Sequence, residues 1–201
     1  NDYLAGFEEG HAGLPDDWRR LSRIIDLMKA AHLGLANHLT SPVLGFWPFQ
    51  VNRTYMARLQ ADGSKHQSAL PQLRSDLEAL ESATGPVTLV IGNNDMLAAN
   101  VLDDGSRLWL IDWEYGGFNT PLFDLAGLAG NNGLSEDQER AALEQYFEAA
   151  PDLHWRPYQA MKCVSLMRET LWSMTSEIHS ELDFDYSAYT AENMDRFNVA
   201  L

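Results

Sequence analysis

A polar segment set between short apolar runs is the feature that most constrains how this chain can fold. Residues 93–100 (NNDMLAAN) follow the β-rich run VTLVI, and Asp95 and Asn100 stand five positions apart within the segment. A second apolar run, LWLI, ends at Asp112. The letters DDGS between the two runs are a turn signal, which predicts a β-hairpin. Because both ends of a hairpin lie close together, we expect Asn100 and Asp112 to converge.

Phosphoryl transfer to a hydroxyl uses this set of side chains. One carboxylate accepts or orients the attacking hydroxyl, while an amide oxygen and a second carboxylate hold magnesium against the phosphates. The spacing Asp-x-x-x-x-Asn is that of the protein-kinase catalytic loop, and an Ile-Asp after a strand matches the metal-binding aspartate that follows it. We therefore predict that Asp95 is the catalytic residue and that Asn100 and Asp112 are ligands of Mg²⁺.

The alternative for these residues is an ordinary polar turn. Asp and Asn are common in solvated turns, and Asp112 could simply cap a strand end. The three residues together, with a hairpin between them, favour the catalytic interpretation. Glu114 is close enough in sequence to reach the metal through water, although a salt bridge or an exposed carboxylate is an equal alternative.

The rest of the chain is mostly helical in its pattern. Apolar residues at helical spacing predict helices over residues 15–33, 51–59 and 70–84, and again over 121–129, 135–147, 155–180 and 187–201. Between these groups lie a predicted strand at residues 87–91 and the hairpin. The predicted fold class is α+β, mostly helical, with a small central β-hairpin.

Charge and composition exclude several classes of partner. The 201 residues carry a formal net charge of −15, which argues against nucleic acid and anionic membrane as partners. No apolar run approaches the length of a membrane span. A single cysteine, Cys163, rules out an internal disulfide framework and a cysteine-based zinc site, so a reducing cytoplasm is the expected location.

Three stretches carry a resemblance to a known family. IGNNDMLAANVL and LWLIDWEYGGFNTPLFDLA, with the later run LWSM…ELDFDYSAYTAENMDRF, resemble the C-terminal lobe of choline/ethanolamine kinases and their aminoglycoside phosphotransferase relatives. The resemblance implies a protein-kinase-like C-terminal lobe over residues 14–201, which contains the catalytic and substrate residues. Residues 1–13 are then an inter-lobe hinge or connector, with residues 3–6 similar to the family's hinge. The implied co-substrate is ATP and the implied cofactor is Mg²⁺.

The chain departs from the family pattern at two places. The family usually has a histidine two residues before the catalytic aspartate, where this chain has Asn93 as the predicted loop scaffold. The family's N-terminal lobe, which supplies a phosphate loop and a lysine, has no counterpart here. The sequence contains neither a P-loop motif nor a G-x-G-x-x-G motif, and has only three lysines. We expect the N-terminal nucleotide lobe to be absent from this chain, and this polypeptide alone not to turn over ATP.

The resemblance also implies an acceptor site for a small cationic alcohol. Aromatic faces attract a quaternary ammonium through the ring quadrupole, and Tyr115, Trp172 and Tyr186 fall where choline kinases place such a cage. Glu169 stands where the family often has another tryptophan. The alternative for Trp172 is a core position, since it lies in an apolar helical stretch. Choline or ethanolamine is favoured over another amino alcohol or an aminoglycoside.

The expected function is transfer of the γ-phosphate of ATP to the hydroxyl of such an amino alcohol. The competing class is a degenerate kinase-like domain that binds a cationic ligand or a partner without catalysis, which Asn93 and the absent lobe would favour. A helical scaffold without a ligand leaves the polar segment unexplained. The retention of Asp95, Asn100 and Asp112 favours the enzyme, because a binding module has no physical need for all three.

Overall fold

A computed structural model describes residues 14–201, with side chains from Trp18 onward. The predicted hinge at residues 1–13 lies outside the described residues. The described chain divides into two compact units: residues 14–46 with Val87–Trp155, and Trp47–Pro86 with Arg156–Leu201. Each unit brings together segments that are distant in sequence, so each is held by long-range packing.

The first unit is built on helix α1 (Leu14–Gly34), which confirms the helix predicted at residues 15–33. Two further helices follow the strands: α4 (Pro121–Asn132) and α5 (Glu136–Phe147). A threonine cap, Thr120, and a first-turn proline begin α4, while a capping box of Ser135 and Gln138 begins α5. Helix α1 packs against α5 and two of the strands. The apolar core of this unit includes Ile24, Ile25, Met28, Phe123, Leu125, Leu128 and Leu143.

Four short strands form two antiparallel pairs in the same unit. Strands β2 (Val101–Asp103) and β3 (Leu108–Leu110) are the predicted hairpin. Strand β1 (Val90–Gly92) is shorter and later than the strand predicted at residues 87–91, and it pairs with β4 (Gly117–Asn119). The sequence did not predict β4, because GFN has no alternation of polar and apolar residues and its partner lies far back in the chain.

The second unit is helical throughout its described elements. Its helices are α2 (Pro48–Ala61), α3 (Leu70–Thr84) and α7 (Tyr186–Ala200), with most of α6 (Asp152–His179), which begins in the first unit. The core of this unit includes Phe49, Met56, Leu59, Leu73, Leu77, Met161, Leu171 and Phe197. The helices predicted for this part of the sequence are confirmed, with ends that differ by a few residues.

The fold class is therefore α+β and mostly helical, as predicted, with two small strand pairs in place of one hairpin. Cys163 is buried in α6, and burial raises the pKa of its thiol, which fits a small core residue. Within residues 14–201, no helix has the length and apolar character needed to cross a membrane.

Candidate active site

The polar segment at residues 93–100 joins β1 to β2 and brings Asp95 and Asn100 together. The amide nitrogen of Asn100 donates to the backbone oxygen of Asp95 at 2.8 Å and to its carboxylate Oδ2 at 3.3 Å. Asn100 is buried, whereas Asp95 is half-buried. Because the nitrogen of Asn100 is used by Asp95, its carbonyl oxygen Oδ1 is the end that remains to bind a metal.

Asp112 follows the hairpin and is tied to the same segment by Asn93. The fully buried Asn93 donates from Nδ2 to the backbone oxygen of Asp112 at 2.8 Å, and its Oδ1 accepts from the backbone nitrogen of Asp95 at 3.1 Å. At the far side of the segment, the backbone nitrogen of Ile111 donates to the oxygen of Asn100 at 2.9 Å. The three residues predicted from the sequence thus belong to one hydrogen-bonded assembly.

The backbone at Asp112 is in the left-handed region, with φ of +54°. This conformation costs about 1 kcal/mol even for a residue type that tolerates it, and such positions cluster at functional sites. The hydrogen bond from Asn93 to the Asp112 carbonyl holds the conformation. The carboxylate of Asp112 is exposed, so it is available to a ligand rather than used in packing.

The donor set at this site fits magnesium. Mg²⁺ binds through one or two protein oxygens and completes its shell with water and substrate phosphates, so Oδ1 of Asn100 and the carboxylate of Asp112 suffice. Among residues 14–201, no group of three or more His, Cys, Asp and Glu side chains is placed to hold a metal by itself. Glu114 is exposed and forms no ion pair with any side chain that the structure describes, so its salt-bridge alternative finds no support.

A buried carboxylate, Asp124 on α4, holds the start of the same segment from behind. Its two oxygens each accept a backbone N–H at 2.8 Å, Oδ2 from Asn93 and Oδ1 from Asn94. Nε2 of His32 lies 2.9 Å from Oδ2, and Nδ1 of His32 lies 2.8 Å from the hydroxyl of Tyr146. These bonds offset the desolvation of a carboxylate that is 1% exposed.

The hydrogen-bond partners of His32 indicate where the protons lie between Asp124, His32 and Tyr146. In the neutral imidazole, the tautomer that suits both partners has the ring proton on Nε2, which donates to the Asp124 carboxylate, while Nδ1 accepts from Tyr146. Burial, followed by the charge of Asp124, raises the pKa of Tyr146 far above its usual range, so the phenol keeps the proton that it donates. His32 is thus a hydrogen-bonded packing residue and not an isolated ligand.

Asn94 connects the polar segment to β4, the strand that follows the predicted metal ligands. Its backbone φ is +67°, and its side-chain nitrogen donates to the backbone oxygen of Tyr115 at 2.9 Å. Its Oδ1 accepts from the amide of Asn119 in β4 at 2.8 Å. Residues Asn94 and Asp124 were missed as site residues. The available signal was a lone carboxylate within the apolar helix PLFDLAGLAG, which must find buried hydrogen-bond donors.

The second unit contains a cluster of four aromatic rings. Trp172 contacts Tyr186 and Tyr189 with ring centroids 5.9 and 6.4 Å apart, and Phe184 contacts the same two tyrosines at 4.9 and 5.7 Å. Each contact is edge-to-face. We call Trp172, Phe184, Tyr186 and Tyr189 the aromatic cluster. Trp172 is half-buried, and Phe184 and Tyr189 join the two predicted residues.

Tyr115 lies in the first unit and is therefore described apart from the aromatic cluster. Its ring contacts Phe46 edge-to-face at 6.0 Å, and its backbone is held by Asn94. The fourth predicted substrate residue, Glu169, does lie beside the aromatic cluster: its Oε1 accepts the hydroxyl proton of Tyr189 at 2.8 Å. Burial, then the Glu169 carboxylate, raise the pKa of Tyr189 to about 12.

The fold of this chain is similar to the folds of solved choline/ethanolamine kinases and aminoglycoside phosphotransferases. The structure of a choline/ethanolamine kinase family protein from Mesorhizobium loti has a TM-score of 0.78, with 22% identity over 92% of this chain and 65% of that chain. Choline kinase LicA from Streptococcus pneumoniae has a TM-score of 0.69 with the same identity and coverage. An aminoglycoside 2′-phosphotransferase shares the fold at a TM-score of 0.66.

At the level of sequence, the chain is similar to protein LicA of Haemophilus influenzae. The two are 27% identical over 156 residues, which is 75% of this chain and 58% of LicA. The chain therefore spans less than two thirds of the length of this relative. No model of a known protein family matches the sequence. These likenesses confirm the resemblance to choline/ethanolamine kinases and aminoglycoside phosphotransferases and the kinase-like fold that it implies.

Proposed function

We propose that this chain carries the catalytic and acceptor residues of a phosphotransferase that moves the γ-phosphate of ATP to the hydroxyl of a small amino alcohol, choline or ethanolamine. The observation that carries the proposal is the hydrogen-bonded assembly of Asp95, Asn100 and Asp112 around Asn93. A polar turn without chemistry needs no such arrangement, whereas phosphoryl transfer needs a carboxylate beside two metal-binding oxygens.

Each residue has a distinct role in this proposal. The half-buried carboxylate of Asp95 accepts or orients the proton of the acceptor hydroxyl, and the donated hydrogen bond from Asn100 fixes its direction. Oδ1 of Asn100 and the carboxylate of Asp112 hold Mg²⁺, which neutralises phosphate charge when it is bound. Glu114 reaches that metal through water. The hydrogen bonds of Asn93 fix the position of Asp95 relative to Asp112.

The nucleotide-binding half of the enzyme is proposed to come from outside these 201 residues. The support is that the sequence contains no glycine-rich phosphate loop, and that the relatives similar to it are longer. A solved LicA structure contains AMP, which supports ATP as the phosphate donor. The acceptor is proposed to bind at the aromatic cluster, and Tyr115, in the first unit, stays a predicted substrate residue.

The second candidate is a kinase-like domain that binds its ligand without catalysis. The observation behind it is Asn93 at the position where the family usually has histidine. Against it, the Asn93 side chain makes hydrogen bonds to both Asp95 and Asp112, so the amide joins the two halves of the site. Asparagine in place of histidine at position 93 therefore still holds Asp95 by a hydrogen bond.

The test is an ADP-release assay on the protein expressed from its complete reading frame, with ATP, Mg²⁺ and either choline or ethanolamine. Asp95→Asn is expected to lower turnover by about a thousandfold, the range of a lost general base. Asp195→Asn, an exposed carboxylate on α7, is the matched control and should leave turnover unchanged.

Binding of Mn²⁺ followed by electron paramagnetic resonance gives a second measurement that does not depend on turnover. Asp112→Asn should weaken binding of the ion, while Asp195→Asn should not. Tight binding of ATP and the alcohol without release of ADP, unaffected by Asp95→Asn, would establish the binding domain instead.

A further inference from the structure

The carboxylate of Glu169 lies beside the aromatic cluster. Glu169 precedes Trp172 by nearly one helical turn on α6, and its side chain is only 13% exposed. Its Oε1 accepts from the hydroxyl of Tyr189, whose ring contacts Trp172. A nearly buried carboxylate therefore stands at the edge of the aromatic cluster, within the same unit of the structure.

Rings alone and rings with a carboxylate favour different cations. A quaternary ammonium spreads its charge over methyl groups and cannot donate a hydrogen bond, so it loses little when it moves from water to aromatic faces. A primary or secondary ammonium is strongly hydrated and loses its N–H···water bonds in the same site. An acceptor oxygen at the edge of the rings replaces such a bond, and a charge-assisted bond is the stronger kind.

The carboxylate retains capacity for such a bond. An ionised carboxyl group offers about four acceptor positions on its two oxygens. The Tyr189 hydroxyl occupies one of them, and because the pKa of that phenol is raised to about 12, it remains a donor at neutral pH. The nearest guanidinium nitrogen, on Arg168, lies 3.6 Å from Oε2, which is an ion-pair distance longer than a normal hydrogen bond.

We propose that Glu169 is a specificity-determining residue, which makes the aromatic cluster a site for amino alcohols that carry at least one N–H on the cationic nitrogen, in preference to fully methylated ones. The inference rests on the proposed function, since it assumes that the acceptor alcohol binds at this cluster. It goes further by choosing between the two alcohols: the nitrogen of ethanolamine donates to Glu169, and that of choline has no proton to donate.

The experiment is calorimetric titration of the protein from its complete reading frame with ethanolamine, its N-methyl and N,N-dimethyl derivatives, and choline. This series removes one N–H at a time while the hydroxyl end stays constant. We expect the largest loss of affinity, about tenfold, at the last step, where the final N–H disappears, which is the size of one charge-assisted hydrogen bond.

Variants of Glu169 and of its partner Tyr189 test whether the carboxylate causes the preference for ethanolamine. Glu169→Gln is expected to reduce the ethanolamine-to-choline preference to less than about threefold, since a neutral amide accepts more weakly. Tyr189→Phe keeps the ring and frees an acceptor position, so the preference should persist. Glu192→Gln, an exposed carboxylate on α7, is the matched control and should leave all four affinities unchanged.

The outcomes separate this inference from the proposed function. Choline bound as tightly as ethanolamine, or a preference unaffected by Glu169→Gln, overturns the role of Glu169 while the phosphotransferase proposal stands. Failure of every member of the series to bind, together with no ADP release, overturns the proposed acceptor and with it this inference.

Discussion

Nε2 of His32 lies 2.9 Å from Oδ2 of Asp124, and both side chains are almost fully buried. The same carboxylate accepts the backbone N–H groups of Asn93 and Asn94, so helix α1 and the polar segment at residues 93–100 share one acceptor group. The hydrogen bond from His32 fixes the rotation of the Asp124 carboxylate. Its two oxygens then stay directed at the two backbone N–H groups. This relationship links a helix far back in the sequence to the residues that precede Asp95.

Replacement of His32 should loosen the polar segment at residues 93–100. His32→Leu is expected to cost about 2 kcal/mol of unfolding free energy, because a buried acceptor loses a partner. Amide hydrogen exchange at Asn93 and Asn94 should accelerate at least about tenfold, since their shared acceptor is free to rotate.

Met28→Ala is the matched control for this variant. Met28 lies one turn earlier on the same helix, is fully buried and takes no part in the polar network. Its truncation is expected to cost about 2–4 kcal/mol through a cavity. If the Asn93 and Asn94 amides exchange equally fast in both variants at matched stability, His32 has no specific effect on the segment.

A methyl group at Gly92 should disturb the carboxylate of Asp124. A Cβ atom there would lie 2.9 Å from Oδ2 of Asp124 and 3.1 Å from Oδ1 of Asn94, and neither side chain can move without breaking its hydrogen bonds. Gly92→Ala is therefore expected to lower the unfolding free energy by about 1–3 kcal/mol. Chemical denaturation measures the change. Gly34→Ala, where nothing lies within 4 Å of the new atom, should change stability by less than about 0.5 kcal/mol.

Histidine at position 93 should introduce a pH dependence that asparagine does not have. The Asn93 amide donates and accepts without titrating, whereas an imidazole changes its charge near pH 6.5 and then loses its acceptor. Asn93→His is expected to lose phosphotransfer rate below about pH 6.5 relative to the parent protein. Asn93→Ala removes both links and should reduce the rate about a hundredfold at all pH values. Rates measured from pH 5.5 to 8.5 test this, and parallel profiles for the parent and the histidine variant would contradict it.

The Tyr189 phenol should titrate with a pKa near 12, set first by burial and then by the Glu169 carboxylate. Because the folded-state pKa is raised above that of the unfolded chain, its contribution to stability is present below about pH 10 and is lost as the pH rises through about 12. A difference titration of phenolate absorbance between the parent and Tyr189→Phe gives the midpoint. Glu169→Gln should lower that midpoint, and no change would show that the carboxylate has no part in it.

Local chemistry accounts for what could be predicted of the fold. Helix starts such as the Ser135 capping box and the hairpin around DDGS depend on residues a few positions apart, so their signals are complete within short windows. The pairing of β1 with β4 was not predicted, because it depends on a contact between segments more than twenty residues apart. Phe184 and Tyr189 were not assigned to the aromatic cluster either, because their contacts depend on how α7 and the turn before it fold back onto α6.

The sequence by itself predicted the chemistry of the site: the spacing of Asp95, Asn100 and Asp112 around a hairpin is typical of phosphoryl transfer. Only the tertiary structure decided what holds them. Asp124 and His32 act through bonds that span 31 and 92 positions, and no periodicity or motif encodes which buried donor meets which acceptor. That choice is made by packing, because a buried carboxylate is stable only where the folded chain brings donors to it.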